Sequence, residues 1–262
     1  MFEKRRRATY LGIGILLAVF MFPAVVLLLV GLNLRPGTEP SLRAWWYLLE
    51  QRRTLGAALA SSLGYGFGAV LVSFAVCVTP AKAIARSASR AMTVVEAVLL
   101  TPALLPSITF ALGAHQLFMR VGLVDTWLGV LLILSFVAYP YMLRALIAGY
   151  ESTDPAFEQC ARNLGAGPLR TFVKVELPFL LPGAAAGASV VFLVAFADYF
   201  LVFLIGGGVV PAYTSYLVPF IRSADYSIAS LLSLVFLFIP IALFVLQDRA
   251  LTVLLRRRGM QV

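Results

Sequence analysis

Charge is scarce in these 262 residues: 21 Lys+Arg and 12 Asp+Glu make up 13%, against 61% hydrophobic residues. Soluble domains carry about 25% charged residues, and a water-soluble globule of this size could not hide so much apolar surface. A soluble enzyme and a disordered chain are both excluded. Histidine is rarer still. His115 stands alone, so a histidine-based metal centre or a serine–histidine catalytic pair lacks the members it needs. The two cysteines, Cys77 and Cys160, have no ligand spacing and allow at most one disulfide. Both fall on the side assigned below to the cytoplasm, where free thiols are expected. The net charge of +9 is scattered between apolar runs. That distribution serves topology better than a phosphate-binding face, so nucleic acid is not an expected partner.

What the chain does have is long uncharged runs, and a membrane helix needs about 20 such residues. They predict an all-α integral membrane protein with six transmembrane helices. The first span lies within Ala8–Leu34, between Arg7 and Arg35. Its apolar stretch exceeds the roughly 7–15 residues of a secretory signal core, which predicts a retained anchor. Thr54–Ala81 and most of Ala97–Met119 supply the second and third spans, and Thr126–Leu143, continued past Arg144 towards Tyr150, the fourth. The fifth starts near Pro178, passes Asp198 and stops at Gly206-Gly207-Gly208; Tyr226–Gln247 is the sixth. Val209–Ile221 is uncharged too, but Pro211, Thr214, Ser215 and Pro219 predict a loop or re-entrant piece.

With both termini cytoplasmic, 15 bases fall inside and 6 outside, the bias that sets orientation in membranes. The weak point is the first external loop, which holds Arg35, Arg43, Arg52 and Arg53 beside an interfacial Trp45-Trp46-Tyr47 belt. The organisation expected is an N-terminal helix with its external segment (1–53), a transmembrane core (54–251) and a basic cytoplasmic tail (252–262). Gly64, Gly66 and Gly68, and Gly183 with Gly187, have the spacing that lets helix backbones approach closely. Packing within this chain and an interface with a partner chain are both open at those glycines. Pro102, Pro106, Pro140 and Pro240 predict kinks.

The connection from Tyr150 to Leu177 is far more polar than the rest of the spanning region. Asp154-Pro155 reads as a helix start, a capping carboxylate followed by proline at the first helical position. Gly165 reads as the stop. About ten residues between them make roughly 15 Å of helix. Phe157, Ala161 and Leu164 fall on one face, and Glu158 with Arg162 has i, i+4 pair spacing. Pro168 starts a second short helix carrying Leu169, Phe172 and Val173, before Leu177-Pro178 re-enters the membrane. Such a helix either docks in another protein's groove or lies on the headgroups.

Gln159-Cys160-Ala161-Arg162-Asn163-Leu164-Gly165, followed by Val175-Glu176-Leu177-Pro178, resembles the EAA loop of permease subunits in binding-protein-dependent ABC importers. The departures are Gln159 for the acidic residue, Cys160 for the first alanine and Val175 for isoleucine; Glu158, one position earlier, offers a substitute charge. Thr54–Arg90 and Leu100–Ser107 are similar to the family's second and third spans, and the likeness covers Thr54 to Leu251. The resemblance, greatest to spermidine/putrescine-type permeases, implies a multi-pass subunit of the bacterial inner (plasma) membrane that is not itself an enzyme. It implies partners as well: two ATPase subunits that bind ATP and Mg, a second and homologous permease chain, and an extracytoplasmic solute-binding protein. None of the three lysines, Lys4, Lys82 and Lys174, follows a glycine, so this chain has no Walker A loop. The coupling residues implied are Asp154, Phe157, Glu158, Ala161, Arg162, Leu164, Gly165, Leu177 and Pro178.

A substrate pathway is indicated by Asp198, about 30 Å up the fifth helix from Pro178. Ionisable groups within spans are functional candidates by default. With Tyr199, Phe200, Tyr213 and Tyr216 it would suit an organic cation such as a polyamine. It could equally sit at the water interface or pair with Arg222. His115 reads as a packing residue, and Glu96 as an end charge near Arg90 or Arg144. A secondary transporter should show internal repeats and midplane charges, and a membrane enzyme should show a catalytic cluster. Neither sign is present, and copurification with an ATP-hydrolysing chain would separate the importer from both.

Overall fold

The computed structural model describes Val19 and residues 21–34, 41–223 and 225–257. Among them every regular element is helical: α1 (Met21–Gly31), α2 (Arg43–Glu50), α3 (Arg52–Ala85), α4 (Arg90–Leu100), a 3-10 turn (Thr101–Leu104), α5 (Ser107–Val121) and α6 (Trp127–Glu151). There follow α7 (Ala156–Asn163), α8 (Pro168–Thr171), a π turn (Phe172–Glu176), α9 (Leu177–Ala197), α10 (Phe200–Gly206), α11 (Tyr213–Arg222) and α12 (Tyr226–Arg257). Among the described residues four helical runs are long and apolar enough to cross a membrane: α3, α6, the continuous Pro168–Ala197 and α12 over Tyr226–Leu254; the bent pair α4 and α5 would make a fifth. Residues 8–18 and 20 of the expected first span, with Lys4 to Arg7, lie outside the described residues, as do Arg35 and Arg258.

The chain divides into two compact units. The larger takes Ala58–Ser215 with the described residues from Pro240 onward. Its centre is α6, with 61% of its apolar window buried where the other spans reach about a third or less. Ile133, Leu134, Met142, Leu143, Leu146 and Ile147 of α6 all lie in the core. Thr126 starts this helix by accepting the Gly129 N–H on its hydroxyl (2.9 Å). Helix α9 lies against α6 because glycines leave room. A Cβ on Gly187 would stand 2.9 Å from the Ala145 Cβ, and one on Gly183 2.9 Å from the Ala145 carbonyl oxygen. In α3, a Cβ on Gly66 would meet Phe192 at 2.8 Å and one on Gly68 would meet Leu131 at 2.7 Å. These small residues serve close packing within this chain.

The smaller unit takes the described residues up to Ala57 together with Tyr216–Ile239. Gly31 lies against Leu231, the Ser227 hydroxyl donates to the Val30 carbonyl (3.2 Å), and Arg43 pairs with Asp225 at 3.5 Å. The expected aromatic belt is helical, with Trp46 exposed on α2.

Several expectations need correction. The third span is not one helix: its two halves are bent by 95°. Leu105 is extended (φ −76°, ψ 136°), as a residue before proline tends to be, and Pro106 supplies no amide to continue the turn. Pro140 and Pro240, by contrast, sit inside uninterrupted helices. The fifth span ends at Ala197 instead of passing Asp198, whose backbone (φ −75°, ψ 116°) leaves the helix. Its start is earlier than Pro178, since α8, the π turn and α9 are continuous from Pro168. The sixth runs on to Arg257. Val209–Ile221 is largely helical, with Pro219 inside α11; burial of Tyr213, Thr214 and Leu217 outweighs the local turn signals.

Candidate functional site

The connection between α6 and α9 is built by three local devices. Asp154 Oδ1 accepts the Ala156 N–H at 2.8 Å and opens α7 one residue after Pro155. Gly165, at φ +81°, closes it. The Gly165 N–H reaches the Arg162 carbonyl (2.9 Å) and the Ala166 N–H the Ala161 carbonyl (3.0 Å), a paired C-terminal cap that requires the left-handed conformation. The helix is therefore 8 residues long, shorter than expected because both caps take a residue from it. Leu164 is 88% exposed and Phe157 50% exposed, the latter stacked on Phe179 at 5.1 Å. Arg162 is exposed and Ala161 half-buried, while Leu177 and Pro178 are drawn into α9.

Glu158 does not pair with Arg162. It turns inward, is buried, and meets two bases at the end of α3. Lys82 Nζ lies 2.6 Å from Glu158 Oε2, and Arg86 Nη2 lies 3.2 Å from Glu158 Oε1. The same Lys82 ammonium reaches Glu176 Oε1 at 2.7 Å, on the last residue of the π turn. Tyr150 donates its hydroxyl to Glu176 Oε2 (3.2 Å), and Arg86 Nη1 donates to the Thr153 carbonyl (2.7 Å) while its guanidinium lies over the Tyr150 ring. Burial alone would raise the Glu158 carboxyl. The hydrogen bonds and charges of Lys82 and Arg86 outweigh that and hold it below the ordinary glutamate value. Lys82, Arg86, Glu176 and Tyr150 were not among the sequence candidates. Their one legible signal is that Lys82 and Arg86 stand four apart, on one face at the end of the second span.

The residues of the expected pathway part company. Asp198 Oδ1 accepts the Leu201 N–H at 2.7 Å and caps α10, and its carbonyl accepts the Thr214 hydroxyl (3.2 Å). Tyr213 is fully buried, stacked on Phe196, with its N–H on Ser62 Oγ (2.8 Å). Tyr199 stacks on Phe203, and Phe200 packs on the core. Tyr216 belongs to the smaller unit, where its hydroxyl meets that of Tyr47 at 3.3 Å. Glu96 pairs with Arg144, one of the two partners expected. His115 is half-buried, its Nδ1 without a hydrogen-bond partner among the described residues. Both thiols are free, Cys77 buried and Cys160 exposed on α7.

Apolar helices long enough to cross a membrane, broken by a polar, capped connection, define the class: a multi-pass membrane protein. Residues 3–259 match the family described as the binding-protein-dependent transport system inner membrane component, and the chain belongs to that family. It is 30% identical over 131 residues to the molybdate/tungstate transport system permease protein WtpB of Pyrococcus abyssi, covering 50% of this chain and 52% of that protein. It is 32% identical over 115 residues to the sulfate transport system permease protein CysT of Salmonella typhimurium (43% of this chain, 42% of that protein). To the spermidine/putrescine transport system permease protein PotB of Escherichia coli it is 29% identical over 100 residues, 36% of each chain. These matches span about half the length of the relatives or less. The fold is similar to a solved bacterial ABC transporter involved in import of the acidic polysaccharide alginate, with TM-score 0.74 and 16% identity over 94% of this chain and 96% of that one.

Proposed function

We infer that the chain forms half of the solute pathway of an ABC importer, beside a second, homologous permease chain. It spans the membrane six times with both termini cytoplasmic. Two ATPase subunits, which hold ATP and Mg, grip α7, and an extracytoplasmic binding protein delivers solute. The observation that carries this reading is the outward face of α7, where Leu164 and half of Phe157 stand free between a firm start at Asp154 and a firm stop at Gly165. An apolar stripe on a short helix outside the apolar spans is suited to a partner's groove. Ala161, Arg162, Leu177 and Pro178 complete the coupling set.

When the ATPases close on nucleotide they push α7, and the spans shift between inward- and outward-open forms by differential contacts. A tagged chain extracted in mild detergent should bring down an ATP-hydrolysing subunit, and Leu164→Glu should release it. Purification with no such subunit would contradict the reading.

For the cargo, Asp198 with Tyr199 and Phe200 favours a small organic cation, and one relative is named for spermidine and putrescine. A second reading, a small oxyanion, is favoured by the engagement of Asp198 with the Leu201 amide and by relatives named for molybdate, tungstate and sulfate. Stimulation of the reconstituted assembly's ATPase by spermidine but not by molybdate or sulfate supports the first; the converse supports the second.

A further inference from the structure

We propose that Lys82, Arg86, Glu158 and Glu176 form the joint through which movement of α7 is passed to α3 and to the start of the Pro168–Ala197 span. This rests on the permease reading above and adds to it the positioning residues inside the subunit.

The geometry is that of a cross-link. One ammonium, Lys82 Nζ, bridges carboxylates from two different elements, Glu158 on α7 at 2.6 Å and Glu176 on the π turn at 2.7 Å. Arg86, one turn further along the chain from Lys82, holds the other oxygen of Glu158 and also latches the Thr153 carbonyl just ahead of α7. Two positive and two negative charges balance, so the cluster is tolerable under burial only while all four stay paired. Stability alone does not explain it, because apolar residues of similar size commonly serve as well as or better than buried ion pairs. What ion pairs add is a single arrangement that moves or breaks as a unit.

The surroundings suit motion. Glu176 ends a π turn, a rare element that is frequent at functional sites. Beside the cluster lies an open cavity of about 530 Å³, lined among others by Val78, Lys82, Tyr150, Arg162, Phe172 and Glu176. It borders α7 at Arg162 and so leaves that helix room to tilt. The outer face of α7 is meanwhile available to the ATPase, so Glu158 faces the bundle and Leu164 the engine.

The test uses the full complex of both permeases, the ATPases and the binding protein in proteoliposomes, and reads solute imported per ATP hydrolysed. Glu158→Gln removes the carboxylate that Lys82 and Arg86 share, leaving Lys82 on Glu176 and Arg86 on the Thr153 carbonyl. The charge-balanced double variant Arg86→Met with Glu158→Gln removes the link yet leaves the Lys82–Glu176 pair intact. Both should keep ATPase assembly and hydrolysis while import per ATP falls at least about tenfold, within the usual range of a coupling free energy between sites. Lys82→Arg, which can still bridge two carboxylates, should retain wild-type coupling. An unchanged ratio in both variants overturns the proposal. So does a loss of assembly in step with import in the balanced variant, because the cluster would then only fold the connection. If the wild-type chain assembles with no ATPase, the permease reading falls first and takes the joint with it.

Discussion

Two carboxylates in this chain, Glu158 and Asp198, stand in superficially similar places, each beside a helix break and rich in aromatic neighbours. Their uses differ. Glu158 reaches across the fold to bases 72 or more residues away and joins separate elements. Asp198 reaches three residues ahead and caps α10. A long-range charge fixes how elements sit against one another, whereas a local one fixes only where a helix begins. Substitution at the first should disturb how the joined elements move together, and substitution at the second should disturb one short helix.

The largest effect is expected at Lys82. Lys82→Met leaves Glu158 and Glu176 buried without their shared cation, a loss of about 3–5 kcal/mol by the usual cost of breaking a buried pair. A markedly lower unfolding temperature in detergent checks it, and an unchanged one would erase the contrast. Gly165→Asp comes next. Open space surrounds that position, so the objection to a side chain is the left-handed backbone, about 1–2 kcal/mol. The chain should still insert, as membrane fractionation reads, while the new charge beside Leu164 abolishes uptake.

A smaller effect follows from acid. The Glu158 carboxyl is held below the ordinary value of about 4.3, so its folded form favours the charged state. That contribution is complete above the ordinary range and is lost as pH falls through the lowered value. Facing it are Lys82 and Arg86, with Glu176 and Tyr150 behind them. Unfolding temperature should hold from pH 7 to 5 and drop below about 4, and Lys82→Met should blunt the drop. The smallest effect is expected at Asp198→Asn, because asparagine caps about as well as aspartate. Thermal stability should change by no more than about 0.5 kcal/mol. Loss of spermidine-stimulated ATPase in this variant alone would show that the carboxylate also meets cargo.

The same contrast marks what the sequence could disclose. Local signals were legible: Asp154-Pro155 and Gly165 bounded α7 to within about two residues, and the uncharged run Thr126–Leu143, continued past Arg144 towards Tyr150, gave α6 almost to its ends. Pro102 and Pro106 announced a kink but not a 95° bend, because proline marks where hydrogen bonds are missing and not how far the chain then turns. The inward turn of Glu158 was hidden, since i, i+4 spacing offers Arg162 while tertiary packing supplies Lys82 and Arg86. The helix end at Asp198 is not legible, because hydropathy registers its neighbours and not the backbone's departure from helix. Tyr213 to Arg222 form a helix for a reason equally remote from local preference, the burial of Tyr213, Thr214 and Leu217.

Cys160, exposed on α7, and Cys77, buried in α3, make the native chain its own probe. A membrane-impermeant thiol reagent applied to inside-out vesicles stripped of peripheral subunits should label Cys160, and rebinding the ATPase subunits should protect it. Equal labelling with and without those subunits, or labelling only from the opposite face, would contradict the assignment of α7 as the surface that the ATPase grips.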